Sequence, residues 1–255
     1  MHIFPHRLTM PSPSSDKDNQ LLSYAASVPF TAQGTAELYV RACGVYGVPV
    51  QATPLEKKAN LVTLDGNSAA GKDTALDRLV LSGLLNPLSI ETVSMKKNPF
   101  RAALKKYWSD RELRDDDGFL VAKLLAIGTR FVFENSCAPQ LGDETKLLVW
   151  NRGPLSSAVC QGATGADQQQ VMGLYDFFPK PDAQVILHCE YDVAMQRIAQ
   201  RSHPPSRFDE PWFIEKTCRR FKELEVPGSV KIDTTSISIE ETVRLLAEGI
   251  SRRLK

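Results

Sequence analysis

From about residue 60 onwards, short apolar runs alternate with longer amphipathic stretches, and this alternation most restricts how the chain can fold. The apolar runs have the length of buried strands, and the stretches between them have the spacing of helices. We therefore predict an α/β fold of three layers: a five-stranded parallel sheet with helices on both faces. The predicted strands are 60–65, 89–94, 146–151, 183–189 and 229–233, and the predicted helices are about 71–84, 117–135, 191–201, 210–224 and 238–253.

The composition excludes several classes of protein. With 255 residues, 42% hydrophobic and 24% charged, the chain can bury a full α/β core. A formal net charge of +1 favours neither nucleic acid nor an anionic membrane as a partner. No apolar run approaches the roughly 18 residues of a membrane span, so we expect a cytoplasmic protein. The five scattered cysteines, with no CxxC spacing, argue against a zinc site and a disulfide framework.

The chain divides at about residue 59. We predict an N-terminal extension over residues 1–59, partly disordered, and an α/β domain over residues 60–255. Residues 1–20 are rich in Ser, Pro and other polar types, which is typical of a mobile tail. Residues 30–49 could form one helix. The sequence assigns no role to this extension.

The segment LVTLDGNSAAGKDT, residues 61–74, carries the strongest motif. It places Gly66, four residues and then Gly71-Lys72 between a predicted strand and a predicted helix, which is the context of a Walker A loop. Glycines let backbone amides form an anion nest, the helix adds its positive N-terminus, and the lysine reaches the β- and γ-phosphates. A glycine-rich turn that only joins strand to helix is the alternative. We predict that ATP is bound by Gly66, Asn67, Ser68, Ala69, Ala70, Gly71, Lys72, Asp73 and Thr74.

The residue after the lysine departs from this motif. A Ser or Thr normally stands there and binds Mg²⁺, but here Asp73 is followed by Thr74. Thr74 or a water held by Asp73 could take that role, or the metal is held mainly elsewhere. Asp73 could also simply stabilise the helix N-terminus. Because a carboxylate beside a triphosphate is costly without a bridging cation, we favour Asp73 and Thr74 as Mg²⁺ contacts.

Several arginines lie in a segment between two predicted helices, RIAQRSHPPSRFD. Phosphoryl transfer requires positive charge around the moving group and little covalent help. A flexible loop that carries arginines could close over phosphates and exclude water. We therefore predict Arg201 and Arg207 as catalytic residues beside Lys72. A solvated helix face is the alternative, and it applies most to Arg197.

The stretch LLVWNRGPLSSAVCQG, residues 147–162, resembles the signature of the thymidylate kinase family, in which an apolar strand ends in Asp-Arg-aromatic and continues into x-x-Ser-Ser-x-x-Tyr-Gln-Gly. Residues 185–224 and 231–246 are similar to that family's fourth strand, lid and last strand and helix. The resemblance covers roughly residues 60–253. It implies a P-loop kinase that transfers the γ-phosphate of ATP, with Mg²⁺, to a nucleoside monophosphate, and it suggests a homodimer. The matching signature positions are Arg152, Ser156, Ser157, Gln161 and Gly162.

The resemblance also implies roles for individual residues. Arg152 would bridge the phosphates of the two nucleotides, so it joins the predicted catalytic residues. Ser156 and Gln161 would line the acceptor pocket. The other residues implied to contact the acceptor are Pro99, Arg101, Arg130 and, at the end of the first strand, Asp65.

Four positions depart from the family pattern. Asn151 replaces the acid of the signature, Gly153 the aromatic residue and Cys160 the tyrosine. Ser68 stands where the family's P-loop usually carries an acid. Because an acceptor pocket discriminates through its hydrogen bonds, these changes leave open an acceptor other than thymidylate.

Three alternatives remain open. A deoxynucleoside kinase has a P-loop similar to GNSAAGK, but the glutamate base expected after its second strand is missing here. A polyphosphate-using kinase shares AAGKD, although its lid fits less well. A catalytically degenerate nucleotide-binding module would explain Asn151 and Asp73. The retained Lys72 and Arg152 favour an active kinase over that module.

Overall fold

The fold is built on one parallel sheet, and the computed structural model describes residues 15–50, 57–109, 111–202 and 204–254. The strand order is β2-β3-β1-β4-β5, so the first strand lies in the centre. Every neighbouring pair is parallel, which confirms the predicted five-stranded parallel sheet. The strands are β1 Asn60–Gly66, β2 Ser89–Thr92, β3 Lys146–Asn151, β4 Ala183–His188 and β5 Val230–Asp233.

Helices join these strands and cover the sheet. The helices of the described residues are α1 Ser15–Ser27, α2 Ala32–Tyr46, α3 Lys72–Ser82, α4 Arg101–Ser109, α5 Gly118–Val132, α6 Ala138–Leu141, α7 Pro154–Ala163, α8 Gln168–Gly173, α9 Tyr191–Ala199, α10 Pro211–Glu223 and α11 Ile239–Arg253. The five helices predicted for the domain are present as α3, α5, α9, α10 and α11. The sequence did not predict α1, α4, α6, α7 or α8.

The buried residues of β1 alternate between the two faces of the sheet, as strand geometry requires. Val62 and Leu64 pack in one buried cluster with α3, α9 and α11. Leu61 packs in another, with Trp150 of β3 and residues of α5 and α7. The sheet therefore separates two helical layers, and the predicted three-layer α/β fold is confirmed.

The N-terminal helices pack against the domain. Leu21 of α1 and Leu38 of α2 are fully buried in a cluster with residues of α4 and α5 such as Leu104. We predicted a mobile tail over residues 1–20, and this is wrong for residues 15–20, which begin α1. The apolar side chains of α1 pack against other helices of the fold, and no local sequence pattern predicts that contact. Residues 1–14 lie outside the described part of the chain. The single helix predicted within 30–49 is α2, and the domain boundary at residue 59 stays a prediction.

Among the described residues, no helix is both long enough and apolar enough to cross a membrane. The thiols of all five cysteines are free.

Candidate functional site

The loop between β1 and α3 has the backbone of an anion-binding turn. Gly66 has φ 145°, Ala69 has φ 60° and Gly71 has φ 86°. A Cβ at Gly66 would lie 1.8 Å from the carbonyl oxygen of Leu187, so β4 passes too close for any other residue. Positive-φ turns of this kind form anion nests, and the N-terminus of α3 follows directly. This geometry supports the predicted phosphate loop.

Lys72 begins α3 and folds its side chain back onto the loop. Its Nζ donates to the carbonyl oxygens of Gly66 at 2.9 Å and Asn67 at 2.6 Å, and the side chain is buried. Burial, and then the positive charge of Arg152, lowers the pKa of Lys72 to about 7, because a desolvated ammonium is disfavoured. These two carbonyl oxygens hold the lysine at the loop, and a nearby phosphate would favour its charged form.

Asn67 ties the phosphate loop to the end of β4. Its Oδ1 accepts a hydrogen bond from the amide of Cys189 at 3.1 Å, and its Nδ2 lies 3.1 Å from the sulfur of Cys218 on α10. Only 1% of Asn67 is exposed. Its side chain therefore fixes the loop from behind, and a contact with phosphate would come from its backbone.

The loop opens onto a cavity of about 820 Å³, which lies beyond the carboxyl ends of β1 and β3. This is the position at which parallel α/β sheets bind ligands. We call it the central cavity. The predicted site residues that line it are Asn67, Ser68, Ala69, Ala70, Gly71, Lys72, Asp73, Thr74, Arg152, Ser156, Gln161 and Arg201.

Arg152 follows β3 directly and lines the central cavity together with Lys72. It has φ 64°, and its amide donates to the carbonyl oxygen of Leu64 at 2.9 Å. A left-handed conformation in an arginine is strained and persists only where the surroundings enforce it. The backbone bond to β1 fixes this turn, and the exposed side chain stays free to contact a ligand.

Arg201 joins the segment after α9 to the phosphate loop. Its Nη1 lies 3.0 Å from Oδ1 of Asp209, and its Nη2 lies 3.3 Å from Oγ of Ser68. Asp209 also accepts from the amide and hydroxyl of Ser206. Burial alone would raise the pKa of Asp209, but the Ser206 hydrogen bonds and the Arg201 charge outweigh it and lower that pKa. These contacts hold Arg201 beside the loop, as its predicted role requires.

Arg207 does not line the central cavity. Its Nη2 lies 2.7 Å from Oδ1 of Asp116, and its guanidinium stacks over the rings of Trp108 and Phe208, which do line the cavity. The structure therefore does not place Arg207 at the catalytic position that we predicted. The side chain of Asp116 is only 2% exposed, so the ion pair lies largely out of contact with solvent. An ion pair formed across 91 positions leaves no local signature in the sequence.

Asp65 lies at the end of β1, fully buried and outside the cavity wall. Its Oδ1 accepts a hydrogen bond from the amide of Ser156 at 2.8 Å, in the first turn of α7. Burial raises the pKa of Asp65, while its hydrogen bond with Ser156 opposes that rise. A carboxylate at this end of a helix offsets the partial positive charge there. Asp65 thus stabilises α7, and its predicted contact with the acceptor is not seen.

Three more residues predicted to contact the acceptor lie outside the cavity wall. Pro99 is half-buried just before α4, and Arg101 is exposed at the start of that helix. Arg130, near the end of α5, is held by Glu134, with its Nε 2.7 Å from Oε1. The spacing of a motif along the chain cannot reveal that a neighbouring carboxylate redirects an arginine.

Comparison with known proteins places the chain in a family. The family model described as thymidylate kinase matches residues 64–246. This chain belongs to the thymidylate kinase family. A five-stranded fold with a P-loop, and the ATP-dependent phosphotransferase activity of nucleotide kinases, come with that membership.

Thymidylate kinases are also found among individual relatives. That of Brachyspira hyodysenteriae is 23% identical over 70% of this chain and 87% of its own. That of Desulfotalea psychrophila is 23% identical over 76% and 96%, and that of Xanthomonas oryzae pv. oryzae is 26% identical over 69% and 76%. The solved thymidylate kinase of Candida albicans superposes with a TM-score of 0.59, at 17% identity over 77% of this chain and 92% of its own. This last likeness confirms the fold.

In this thymidylate kinase family member, Arg197 lines the cavity, although the sequence left open whether it lies at the site or on a solvated helix face. Its Nη1 donates to the carbonyl oxygen of Ala69 at 3.1 Å, and its Nη2 donates to the carbonyl oxygen of Thr234 at 2.6 Å. Thr234 in turn donates to the carbonyl oxygen of Ala70 at 3.1 Å. These residues brace the phosphate loop from outside. From the sequence alone, a helical arginine that holds a loop cannot be distinguished from one that only faces solvent.

Two further lining residues of this thymidylate kinase fold, Thr129 and Tyr175, belong to none of the motifs found in the sequence. Thr129 of α5, Ser157 of α7 and Tyr175 lie on the wall with Ser156 and Gln161. The hydroxyl oxygens of both serines are buried without a hydrogen-bond partner among the described residues. Unpaired buried hydroxyls are costly and call for a partner. We therefore interpret this part of the wall, which we call the serine wall, as a place for polar groups of a ligand.

Several oxygen atoms at the loop could serve as ligands for the Mg²⁺ ion that the sequence analysis predicted. Oδ1 of Asp73 accepts a hydrogen bond from Nδ2 of Asn151. Oδ1 of Asn151 is buried without a hydrogen-bond partner among the described residues. Asp73 and Thr74 both line the cavity. Carboxylate, hydroxyl and amide oxygens suit a hard cation and its bound waters, so the residues present are compatible with Mg²⁺.

Proposed function

We propose that this chain transfers the γ-phosphate of ATP to a nucleoside monophosphate, dTMP or a close relative. The observation that carries the proposal is that Lys72 and Arg152 line the same cavity as the phosphate loop and the serine wall. A donor and an acceptor can therefore meet in one cavity with positive charge between them. Membership of the thymidylate kinase family supports the same reaction.

The mechanism follows from where the charges lie. The loop amides hold the triphosphate, Lys72 offsets charge on its β- and γ-phosphates, and Arg152 contacts both phosphate groups. Arg201, held beside Ser68 by Asp209, would contribute charge as transfer proceeds. Groups fixed before the reaction stabilise the transition state without reorganising. No strong base is needed, because an acceptor phosphate is already ionised near neutral pH.

Magnesium is proposed as the cofactor. When bound, it would offset negative charge on the triphosphate. Asp73 and Thr74 are the residues that would hold it, and Asn151 would accept a hydrogen bond from one of its waters. Among the described residues no three His, Cys, Asp or Glu side chains cluster as a metal site. The phosphates and water would therefore supply most of the ligands, as is usual for Mg²⁺.

The acceptor pocket is proposed to lie at the serine wall. Ser156 and Ser157 offer unpaired hydroxyls there, and Gln161 offers a buried amide that can pair with a base edge. Gly153 and Cys160 leave this pocket less aromatic than the family signature. We therefore expect a preference among monophosphates that hydrogen bonding, more than stacking, decides.

The experiment combines purified protein with ATP, Mg²⁺ and each nucleoside or nucleoside monophosphate in turn, while ADP release is followed. Turnover with a monophosphate that Lys72→Ala abolishes, and the exposed Lys105→Ala leaves intact, supports the proposal. Turnover with nucleosides alone would indicate a deoxynucleoside kinase. ATP binding without any turnover would indicate a degenerate module. The homodimer and the cytoplasmic location stay predictions, and sedimentation velocity tests the first.

A further inference from the structure

Helix α2 lies outside residues 64–246, which match the family, yet one of its side chains reaches far into the domain. Tyr39 is fully buried. Its hydroxyl donates a 2.5 Å hydrogen bond to Oε2 of Glu134. Burial and the neighbouring carboxylate raise the pKa of Tyr39, so the phenol stays protonated as the donor. The N-terminal extension thus contributes a buried polar contact to the domain.

Glu134 connects this tyrosine to Arg130. The glutamate is 5% exposed and lies in the π-helical turn Phe133–Cys137, which follows α5. Its second oxygen, Oε1, lies 2.7 Å from Nε of Arg130. The guanidinium also stacks over the ring of Tyr39 at 4.5 Å. Tyr39 therefore fixes Arg130 twice, through the shared carboxylate and through its ring.

Arg130 itself does not line the central cavity, but it is connected through its neighbours to the side that carries the serine wall. It follows Thr129, which lines the cavity. Its guanidinium carbon lies 5.0 Å from the ring centroid of Phe177. The ring centroids of Phe177 and Phe178 are 4.1 Å apart, and those of Phe178 and Tyr175, whose rings are stacked, are 5.7 Å apart. Tyr175 lines the cavity. A continuous set of packed side chains thus runs from α2 to the proposed acceptor pocket.

We infer that Tyr39 and Glu134 are positioning residues for the acceptor side of the central cavity. The inference rests on the proposed function for the identity of the acceptor. π-helical turns are often found at functional sites, and a buried carboxylate between two donors fixes its neighbours tightly. The N-terminal extension is therefore part of the acceptor pocket's support, and the phosphate loop does not depend on it.

Kinetics with matched variants test this inference. Tyr39→Phe removes the hydroxyl bound to Glu134. Tyr46→Phe removes another buried α2 hydroxyl, bound to Asp18 of α1, and serves as the control. Mutations within one contact network commonly change the coupling between two sites by an amount that corresponds to about a fivefold change in affinity. We therefore expect Tyr39→Phe to raise the KM for dTMP by about fivefold. The KM for ATP should not change, and Tyr46→Phe should change neither. Equal acceptor KM values for the two variants would overturn the inference.

A second measurement needs no turnover and separates failure of the inference from failure of the proposed function. Hydrogen–deuterium exchange of the full chain reports the local opening of each segment. We expect Tyr39→Phe to accelerate exchange in residues 174–178, beside Tyr175, and Tyr46→Phe to leave it unchanged. If the wild-type protein turns over no monophosphate but this difference in exchange is seen, Tyr39 does position this side of the cavity, and the proposed acceptor is wrong. Identical exchange in both variants would refute the connection itself.

Discussion

At the scale of single residues, Lys72 is the group whose state depends most on its ligand. Burial lowers its pKa to about 7, so it is largely neutral in the free protein at about pH 8. The phosphates of ATP would restore the charged form. We predict uptake of close to one proton when ATP binds. Titration calorimetry in buffers of different ionisation enthalpy measures this uptake, which Lys72→Met should abolish. The same uptake in that variant would contradict the assignment.

The same lowered pKa has a consequence for stability. An unfolded chain binds a proton at Lys72 up to its ordinary pKa of 10.5, whereas the folded chain loses it near 7. Between these values the unfolded state holds more protons, so this lysine makes the free energy of unfolding rise with pH. Below pH 7 both states hold the proton at Lys72, so this lysine no longer makes the free energy of unfolding change with pH.

Asp209 is expected to matter through Arg201. Asp209→Asn keeps the shape of the side chain but removes the charge that holds the guanidinium near Ser68. Loss of a charged hydrogen-bonding partner commonly costs about 1.5–3 kcal/mol, so we predict that kcat/KM for ATP falls by about tenfold or more. Steady-state kinetics checks this, with the exposed Asp77→Asn as the control. Unchanged kcat/KM in Asp209→Asn would show that Arg201 needs no such support.

At the scale of elements, the strands were predictable and several helices were not. A strand buried on both faces, such as β1, is a continuous apolar run that needs no knowledge of its neighbours. Helix α7 begins at Pro154 after a glycine and mixes small and polar residues, so its periodicity is weak. Its N-terminus depends on Asp65, ninety-one positions earlier. The ion pair of Arg207 with Asp116 likewise arises only once the chain has folded.

The turn from β1 into the phosphate loop can be tested with two glycines. Gly66→Ala places a Cβ on the Leu187 carbonyl and also strains φ, whereas Gly71→Ala strains φ alone, with no atom within 4 Å of the new Cβ. Overpacking and backbone strain each cost about 1–3 kcal/mol. We therefore predict a clearly larger loss of unfolding free energy for Gly66→Ala in denaturant titrations. Equal losses would mean that β4 does not approach the loop as described.

At the scale of the whole molecule, the N-terminal helices are expected to unfold together with the kinase domain. Leu38 of α2 is fully buried against α4 and α5, whereas Val40 of the same helix is 54% exposed. Leu38→Ala should lower the free energy of unfolding by about 2–5 kcal/mol in a single transition. Val40→Ala should change it by no more than about 0.5 kcal/mol. A separate early transition in Leu38→Ala would show that α1 and α2 are an independent unit.

The sequence predicted the parallel sheet but not the surface against which the N-terminal helices pack. Motifs placed the phosphate loop, Arg152 and the serine wall in one region because parallel strands end at one edge of a sheet. They did not predict that the buried Lys123 of α5 donates to the carbonyl oxygen of Val28 at 2.9 Å, just after the end of α1. This contact depends on which surfaces pack together in the folded chain, and the local sequence pattern does not predict it.

The central claim is that the γ-phosphate passes from ATP to a monophosphate within the cavity that Lys72 and Arg152 line. Transfer of radiolabelled γ-phosphate tests it most directly. ATP labelled at the γ-position, Mg²⁺ and dTMP are incubated with wild-type protein, and the labelled products are separated. The account predicts label in dTDP, and none there with Arg152→Ala or Lys72→Ala. Label found only in inorganic phosphate, or still in ATP after every monophosphate has been tried, would contradict it.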